Sequence, residues 1–378
     1  MKLFALLTLT LLCNPIVHAK QTEKFEKPWS TYVAETEKND LQENCKPQWI
    51  KAKADVPFKG TIMLHHGFTA CTQQYFEWSK NYLSPKGYDV LLVVLPGHGL
   101  VWDENKNDLD GYPTRDNWYG VYHSAVQSFN SIMAESSGDH VVGGLSVGAE
   151  VALDSALEEP NLYQRVILFT PFFRLSSAKK EFGPDDSKWV KFLQSITGGL
   201  NKKKGALVDF VANPKNRLCK LADKRQTWGK GCEVTERKNG RAGYCQFTFD
   251  AVSADQQYGS LLLNKTQSAL KLPKMQVLGV ENDPTAASFL TRRFVENAKL
   301  ATGVAPNLCF FHKDANHSLL SRFDSPKENK YWIPFLLEQA TAFVVSGTEV
   351  KKSISVSDIE ANYPYCDVSS ENPKAITL

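Results

Sequence analysis

Short apolar runs recur along the chain and alternate with stretches of helical spacing. The run Tyr88–Leu95 is apolar at nearly every position, which is typical of a strand buried on both faces of a sheet. The same pattern predicts further strands at Gly60–Gly67, His140–Gly143, Arg165–Phe169, Met275–Gly279 and Leu308–His312, and helices at Tyr75–Leu83, Trp118–Met133, Ala149–Leu157, Ala287–Leu300 and Trp332–Val345. Strands that alternate with helices predict an α/β fold with a mostly parallel sheet flanked by helices.

The alternation lapses between residues 172 and 258, and the charge changes there too. This insert holds 17 Lys and Arg against 9 Asp and Glu, a net charge of +8, whereas the whole chain carries +3. We interpret it as an inserted cap between two strands of the sheet. The predicted organisation is a signal peptide (1–19), a first core part (20–171), the cap (172–258), a second core part (259–345) and an irregular C-terminal tail (346–378).

The first residues have the pattern of a secretory signal peptide. Lys2 precedes the apolar run Leu3–Leu12, and Val17-His18-Ala19 resembles a small-residue cleavage site, so we expect cleavage after Ala19. No later segment approaches the ~18 apolar residues of a membrane span. The expected destination is the periplasm or the outside of the cell.

The cysteine count fits an oxidising compartment. Without Cys13 the expected mature chain has seven cysteines, an odd number, so several should pair and at least one should remain outside those pairs. Cys232 and Cys245 flank an Asn239-Gly240 step, which is a hairpin signal, and we expect them to bridge, with Cys219 as the competing partner. The spacings resemble no metal-binding array, and no metal is expected.

The stretch Gly144-Leu145-Ser146-Val147-Gly148 is the first candidate for chemistry. A strand precedes it and a helix of small residues follows it, which is the context in which a G-x-S-x-G turn presents a serine hydroxyl above the carboxyl edge of a sheet. The glycines relieve crowding at such a strained turn. Ser146 is therefore the predicted nucleophile.

A serine hydroxyl needs a base, and the base needs an orienting carboxylate. Asp283 and His317 follow the last two predicted strands, so both should lie at the same sheet edge as Ser146. We predict Asp283 as the acid and His317 as the base. Alternatives are Glu281 or Asp314 for the acid and, ranked lower because it falls within its strand, His312 for the base.

The developing oxyanion needs preset donors. One predicted donor is the backbone N–H of Val147, at the start of the helix after the nucleophile. The other is the backbone N–H of Phe68, in the turn after the first predicted strand, where Gly67 permits a close approach.

Together these motifs resemble the α/β-hydrolase superfamily, in the branch of monoglyceride lipases, carboxylesterases and serine aminopeptidases. The resemblance rests on Leu64-His65-His66-Gly67-Phe68-Thr69, Leu95-Pro96-Gly97-His98-Gly99, the Ser146 motif and the Asp283 and His317 loops, within about residues 58 to 345. It implies an α/β-hydrolase fold, no cofactor, acylation of Ser146 and hydrolysis by water that His317 activates. The large basic cap departs from the commoner short helical lids.

We therefore expect first a secreted serine hydrolase that cleaves carboxylic esters, similar to a lipase, an esterase or a lysophospholipase. A nucleophilic serine disfavours dehalogenase or epoxide-hydrolase chemistry. The alternatives are an aminopeptidase-like amidase and a non-catalytic binding protein on a hydrolase scaffold. The expected partner is a small-molecule or lipid ester, with no nucleic acid, and the basic cap indicates peripheral contact with an anionic membrane surface.

Overall fold

The computed structural model of the protein describes residues 15–101, 112–114, 116–176, 226–227, 240–244, 246–247, 249–280, 283, 285–311, 317–323, 332–348 and 366–367. Its strands are β1 (Gln48–Ile50), β2 (Gly60–His65), β3 (Tyr88–Val93), β4 (Asp139–Leu145), β5 (Arg165–Phe169), β6 (Gln226–Thr227), β7 (Gln246–Phe247), β8 (Lys274–Val280), β9 (Asn307–Phe311) and β10 (Cys366–Asp367). Its α-helices are α1 (Pro15–Thr36), α2 (Phe76–Trp78), α3 (Trp118–Ala134), α4 (Val147–Glu158), α5 (Phe249–Gln267), α6 (Ser288–Thr302) and α7 (Trp332–Ser346).

The described strands form an eight-stranded sheet in the order β1-β3-β2-β4-β5-β8-β9-β10, while β6 and β7 form a separate antiparallel ribbon. The six inner strands run parallel, and the edge strands β1 and β10 run antiparallel to their neighbours. The strand order reverses at β2, because β3 lies on one side of it and β4 on the other. Ligands of open α/β sheets bind at such a switch point. In the β2–β4 register His65 lies opposite Gly144, so the turn after β2 lies beside Ser146.

Helices cover both faces of the sheet, and alternate residues of the same strands enter two apolar layers. Met63 and Val142 pack with α1, α3, α4, α5 and α6 on one face. Ile62 and Val141 pack on the other face with α7 and with the helical turns around Trp78. All six residues of β2 and of β3 are buried, which explains their continuous apolar runs.

The six predicted strands and four of the five predicted helices are present, with ends shifted by a few residues. The stretch predicted as one helix around Tyr75–Leu83 is a succession of short turns, with 3-10 geometry at Thr72–Tyr75, α2, a π-helical turn at Ser79–Leu83 and 3-10 geometry at Ser84–Lys86. The tail expected to be irregular contributes β10, which escaped prediction because a two-residue strand has no periodicity. The expected boundary at residue 258 falls inside α5, which packs against α4 and α6.

The polar lead-in before the first predicted strand contains α1 and β1. Phe25 and Trp29 of α1 are buried against the core, and the Tyr32 hydroxyl donates a hydrogen bond to the carbonyl of Val94 at 3.2 Å and accepts one from its N–H at 2.8 Å. Most of the expected signal peptide and of the cap, including Cys219 and Cys232, lies outside the described residues, so both stay predictions. In the part of the chain that the structure describes, no helix is long and apolar enough to cross a membrane.

Cys45 and Cys71 form a disulfide that closes a loop with a sequence separation of 26. Cys309 is disulfide-bonded as well.

We expect the double variant Cys45→Ala/Cys71→Ala to lose about 3–4 kcal/mol in the free energy of unfolding, because the unfolded chain regains the entropy of the loop that the Cys45–Cys71 disulfide closes. Chemical denaturation under oxidising conditions measures this loss. As the control, the free energies of unfolding of variant and wild type are compared in reductant, where the wild type lacks the disulfide too. A variant as stable as the oxidised wild type would contradict the prediction.

Candidate active site

Ser146 occupies a strained turn between β4 and α4. Its backbone has φ 59° and ψ −121°, a conformation that L residues rarely adopt. A Cβ on Gly144 would lie 2.0 Å from the carbonyl oxygen of Gly148, and a Cβ on Gly148 would lie 2.0 Å from that of His65. Only glycine fits at either position, so these two residues permit the turn that places the Ser146 hydroxyl at the carboxyl edge of the sheet.

His317 and Asp283 meet Ser146 at this edge. The Ser146 Oγ lies 2.8 Å from His317 Nε2, and His317 Nδ1 lies 2.7 Å from Asp283 Oδ2. A proton on Nδ1 donates to the carboxylate and leaves Nε2 free to accept the serine proton. All three residues are nearly buried, with exposed fractions of 3% for Ser146, 7% for Asp283 and 6% for His317. The arrangement can therefore pass a proton from the hydroxyl to the imidazole with little competition from water.

Backbone and side-chain contacts hold the acid and the base in place. Asp283 Oδ1 accepts hydrogen bonds from the backbone N–H groups of Thr285 and Ala286, at 2.7 and 2.9 Å. The Thr170 hydroxyl donates to the carbonyl of His317 at 2.8 Å. Both oxygens of the carboxylate are thus used, and each has a distinct role.

The turn after β2 lies beside the nucleophile and carries Phe68. The side chain of Gln74 accepts a hydrogen bond from the N–H of Gly67 at 2.9 Å, and Thr69 has a positive φ of 60°. His66 is buried under this turn, and burial lowers its pKa to about 4. Its Nδ1 lies 2.9 Å from the carbonyl of Gly67, while its Nε2 accepts the N–H of Leu95 at 3.0 Å, as a neutral imidazole does. His66 therefore supports the turn.

Val147 is the first residue of α4. The first N–H groups of a helix lack partners within it, and the helix dipole places partial positive charge there. Val147 and Phe68 lie on the two turns beside Ser146, and their role as donors to an oxyanion stays a prediction.

Residues 240–244, from the range expected for the cap, pack directly on the turn after β2. The N–H of Tyr244 donates to the carbonyl of Thr69 at 2.7 Å, and the Arg241 guanidinium reaches the Thr69 hydroxyl at 3.2 Å. Gln73 donates to the carbonyl of Gly240 at 2.8 Å and accepts from the N–H of Ala242 at 2.7 Å. This segment, 167 or more residues away in sequence, restrains the loop that carries Phe68.

A pocket of about 580 Å³, part of it open to solvent, surrounds the reacting groups. Its walls include Ser146, His317, Phe68, Phe172, Arg241 and Asp255. Sequence reasoning missed Arg241 and Asp255, as well as Glu150, which is buried one helical turn after Ser146. For Glu150, the signal available in the sequence was the spacing of acidic residues by four along α4.

The roles of the alternative acid and base residues stay open. Glu281, His312 and Asp314 all lie outside the described residues, and so does the boundary between β9 and the His317 loop. Across the described ranges, no group of three or more His, Cys, Asp or Glu side chains is placed to hold a metal ion.

Comparisons with known proteins support the fold described above. The family model described as serine aminopeptidase, S33, matches residues 57–234. A metagenome-derived lipolytic enzyme structure has 15% identity and a TM-score of 0.50, over 81% of this chain and 99% of that one. A soluble variant of monoglyceride lipase from Saccharomyces cerevisiae, in complex with a substrate analogue, has 15% identity and a TM-score of 0.52, over 81% of this chain and 92% of that one. No curated protein sequence matches significantly. The likeness to these two structures, together with the parallel sheet and its flanking helices, shows that the chain has the α/β-hydrolase fold.

Proposed function

We propose that the protein is a serine hydrolase that cleaves carboxylic esters through an acyl-enzyme on Ser146. The observation that carries the proposal is the continuous hydrogen-bonded chain from Ser146 Oγ through His317 to Asp283 at the wall of a pocket. The partial match to the serine aminopeptidase family model supports a hydrolase, and the similar structures named above are a lipolytic enzyme and a monoglyceride lipase.

The first half of the reaction forms the acyl-enzyme. His317 Nε2 accepts the Ser146 proton as Oγ attacks the ester carbonyl, and the Asp283 carboxylate stabilises the imidazolium that results. The backbone N–H groups of Phe68 and Val147 stabilise the negative oxygen of the tetrahedral intermediate. The carbonyl then re-forms, the C–O bond to the alcohol breaks, and the imidazolium gives its proton to the departing oxygen.

The second half frees the enzyme. His317 takes a proton from water, whose oxygen attacks the acyl carbonyl to form a second tetrahedral intermediate at the same donors. When this collapses, the acid leaves and the proton returns from His317 to Ser146 Oγ. The described residues supply each proton transfer, and the cycle consumes only ester and water.

We further propose that the protein is exported and works in an oxidising compartment. The N-terminal signal pattern and the disulfides at Cys45–Cys71 and Cys309 support this. A basic cap attracted to an anionic membrane surface is consistent with a lipid ester as substrate, and that contact remains part of the proposal.

A fluorophosphonate probe, which labels activated serines, tests the proposed function. We expect labelling of the wild type and turnover of p-nitrophenyl esters of graded chain length that exceeds turnover of aminoacyl-arylamides. Ser79→Ala is a matched control, because Ser79 is buried in the π-helical turn, away from the pocket. A folded wild type that takes no label would support the non-catalytic alternative, and faster cleavage of the arylamides would support the amidase.

A further inference from the structure

A four-residue segment from the range expected for the cap lies across the turn after β2. This segment, residues 241–244, is called the strap below. The N–H of Tyr244 donates to the carbonyl of Thr69 at 2.7 Å, and the Arg241 guanidinium donates to the Thr69 hydroxyl at 3.2 Å. Thr69 is only 1% exposed, and the strap binds both of its oxygens.

Thr69 has a strained backbone. Its φ of 60° lies in the left-handed region, where a β-branched residue is a clear outlier. A residue keeps such a conformation only when its surroundings fix it from several sides. Within the turn, the N–H of Ala70 donates to the carbonyl of Gly67 at 3.1 Å, and the strap supplies the two contacts to Thr69 itself. The strap therefore helps to hold Thr69 in this conformation.

Other parts of the core anchor the strap. The N–H of Ala242 donates to the side chain of Gln73 at 2.7 Å, and the side chain of Ala242 packs against the Cys45–Cys71 disulfide. Tyr244 is completely buried, and its hydroxyl donates to the carbonyl of Gly97 at 2.8 Å. With these anchors the strap can restrain the turn, because its own position does not depend on Thr69 alone.

The strap approaches the turn most closely at a glycine. Gly243 has φ 105°, and a Cβ there would lie 2.3 Å from the carbonyl oxygen of Thr69. Gly240, just before the strap, also has a positive φ, of 77°, but the nearest atom to a Cβ there would be in the ring of Phe323 at 3.9 Å. A methyl group at position 243 would therefore push the strap away from Thr69, and one at position 240 would not.

The turn lies against the nucleophile. A Cβ on Gly67 would be 3.3 Å from the Cβ of Ser146, and Gly67, Phe68 and Thr69 line the pocket with Ser146. On one side of Phe68, Gln74 accepts the N–H of Gly67 at 2.9 Å. On the other side, the strap holds Thr69. The residues before and after Phe68 are thus both fixed, which fixes the direction of the N–H between them.

We propose that the strap positions the backbone N–H of Phe68 for the oxyanion by holding Thr69 in its strained conformation. Donors to an oxyanion are effective only when they are already in place as the charge develops. Arg241, Gly243 and Tyr244 are then positioning residues, which act through the turn, and their effect belongs to the transition state more than to substrate binding. The inference rests on the proposed function, since it concerns the oxyanion of the same ester hydrolysis.

The test compares Gly243→Ala with Gly240→Ala as its matched control. Both variants add a Cβ at a positive φ, and only the first places it against Thr69. We expect Gly243→Ala to lower kcat for p-nitrophenyl butyrate by about 30-fold, less than the ~10²–10³ that loss of a whole oxyanion donor costs. KM should change little, because the lost interaction forms in the transition state. Gly240→Ala should keep the wild-type kcat and KM.

A second measurement reports the oxyanion site directly. Butaneboronic acid forms a tetrahedral, anionic adduct with an active-site serine and so mimics the intermediate. Its inhibition constant should rise in Gly243→Ala by about the factor by which kcat/KM falls, as expected of a transition-state analogue. Rates are expressed per active site, titrated with a fluorophosphonate, so that an unfolded fraction does not count. If Gly243→Ala does not fold, Arg241→Met takes its place, since methionine cannot donate to Thr69, and a loss of about tenfold in kcat is expected.

Wild-type kcat in folded Gly243→Ala overturns the inference, and so does an equal loss in Gly240→Ala or a rise in KM without a loss in kcat. Hydrogen exchange of the amides in residues 67–70 needs no turnover, and it should become faster in Gly243→Ala and stay unchanged in Gly240→Ala. Unchanged exchange in both variants also contradicts the inference. A wild type that takes no fluorophosphonate label and cleaves no ester would instead contradict the proposed function, before any variant is compared.

Discussion

Replacing Ser146 with alanine is expected to lower the rate of ester hydrolysis by about 10⁴-fold or more. The substitution removes the one oxygen that attacks the carbonyl, 2.8 Å from His317 Nε2, and no other hydroxyl is bonded to this imidazole nitrogen in the described residues. Hydrolysis of p-nitrophenyl butyrate, followed at saturating substrate, measures the loss.

The same variant should fold as the wild type does. Alanine keeps the Cβ of serine, so the strain of the turn at φ 59° is unchanged. Among the described residues, the Ser146 side chain forms a hydrogen bond only with His317. Circular dichroism and the melting temperature check this. Ser79→Ala, which removes another buried hydroxyl, should keep wild-type turnover. Retention of more than a tenth of wild-type turnover by Ser146→Ala would assign the nucleophile elsewhere.

The parallel core was predictable because its strands are covered on both faces. A strand such as β3 lies wholly in the interior, so each position is apolar and the run stands out in the sequence. Edge elements lack that signal, since β1 has three half-buried residues and β10 has two residues. For α1 a signal existed, because Phe25, Trp29, Tyr32 and Val33 stand at helical spacing and pack on the core, but the polar residues between them obscured it.

The residues of the candidate site also differ in how well the sequence could predict their positions. The positions of Ser146, Asp283 and His317 depend on strand ends, and the carboxyl ends of parallel strands meet at one edge. The burial of Glu150 and Asp255 depends instead on how α4 packs against α5, and nothing local to either helix fixes that packing. Acids spaced by four residues ordinarily indicate a solvated helix face, so the burial of Glu150 emerges only in three dimensions.

Asp283→Asn is expected to lower kcat for ester hydrolysis by about 10⁴-fold, far more than Asp314→Asn. The reason lies in how the carboxylate is held. Two backbone N–H groups, of Thr285 and Ala286, bind Oδ1, so an asparagine at position 283 would keep its oxygen there and turn its NH₂ group toward His317. An NH₂ group donates, so it would require His317 Nδ1 to accept and would move the imidazole proton to Nε2.

With the proton on Nε2, the imidazole presents a donor to Ser146 Oγ where the reaction needs an acceptor. The nucleophile then has no base, even though every residue keeps its place, so KM should change much less than kcat. Steady-state kinetics of both variants on one p-nitrophenyl ester measure the difference, and ¹H NMR of the imidazole N–H protons reports the tautomer directly. The Asp314→Asn control removes the rival acid that the sequence left open. If Asp314→Asn proved the more damaging change, the orienting acid would be Asp314, and Asp283 would serve only to order the loop after β8.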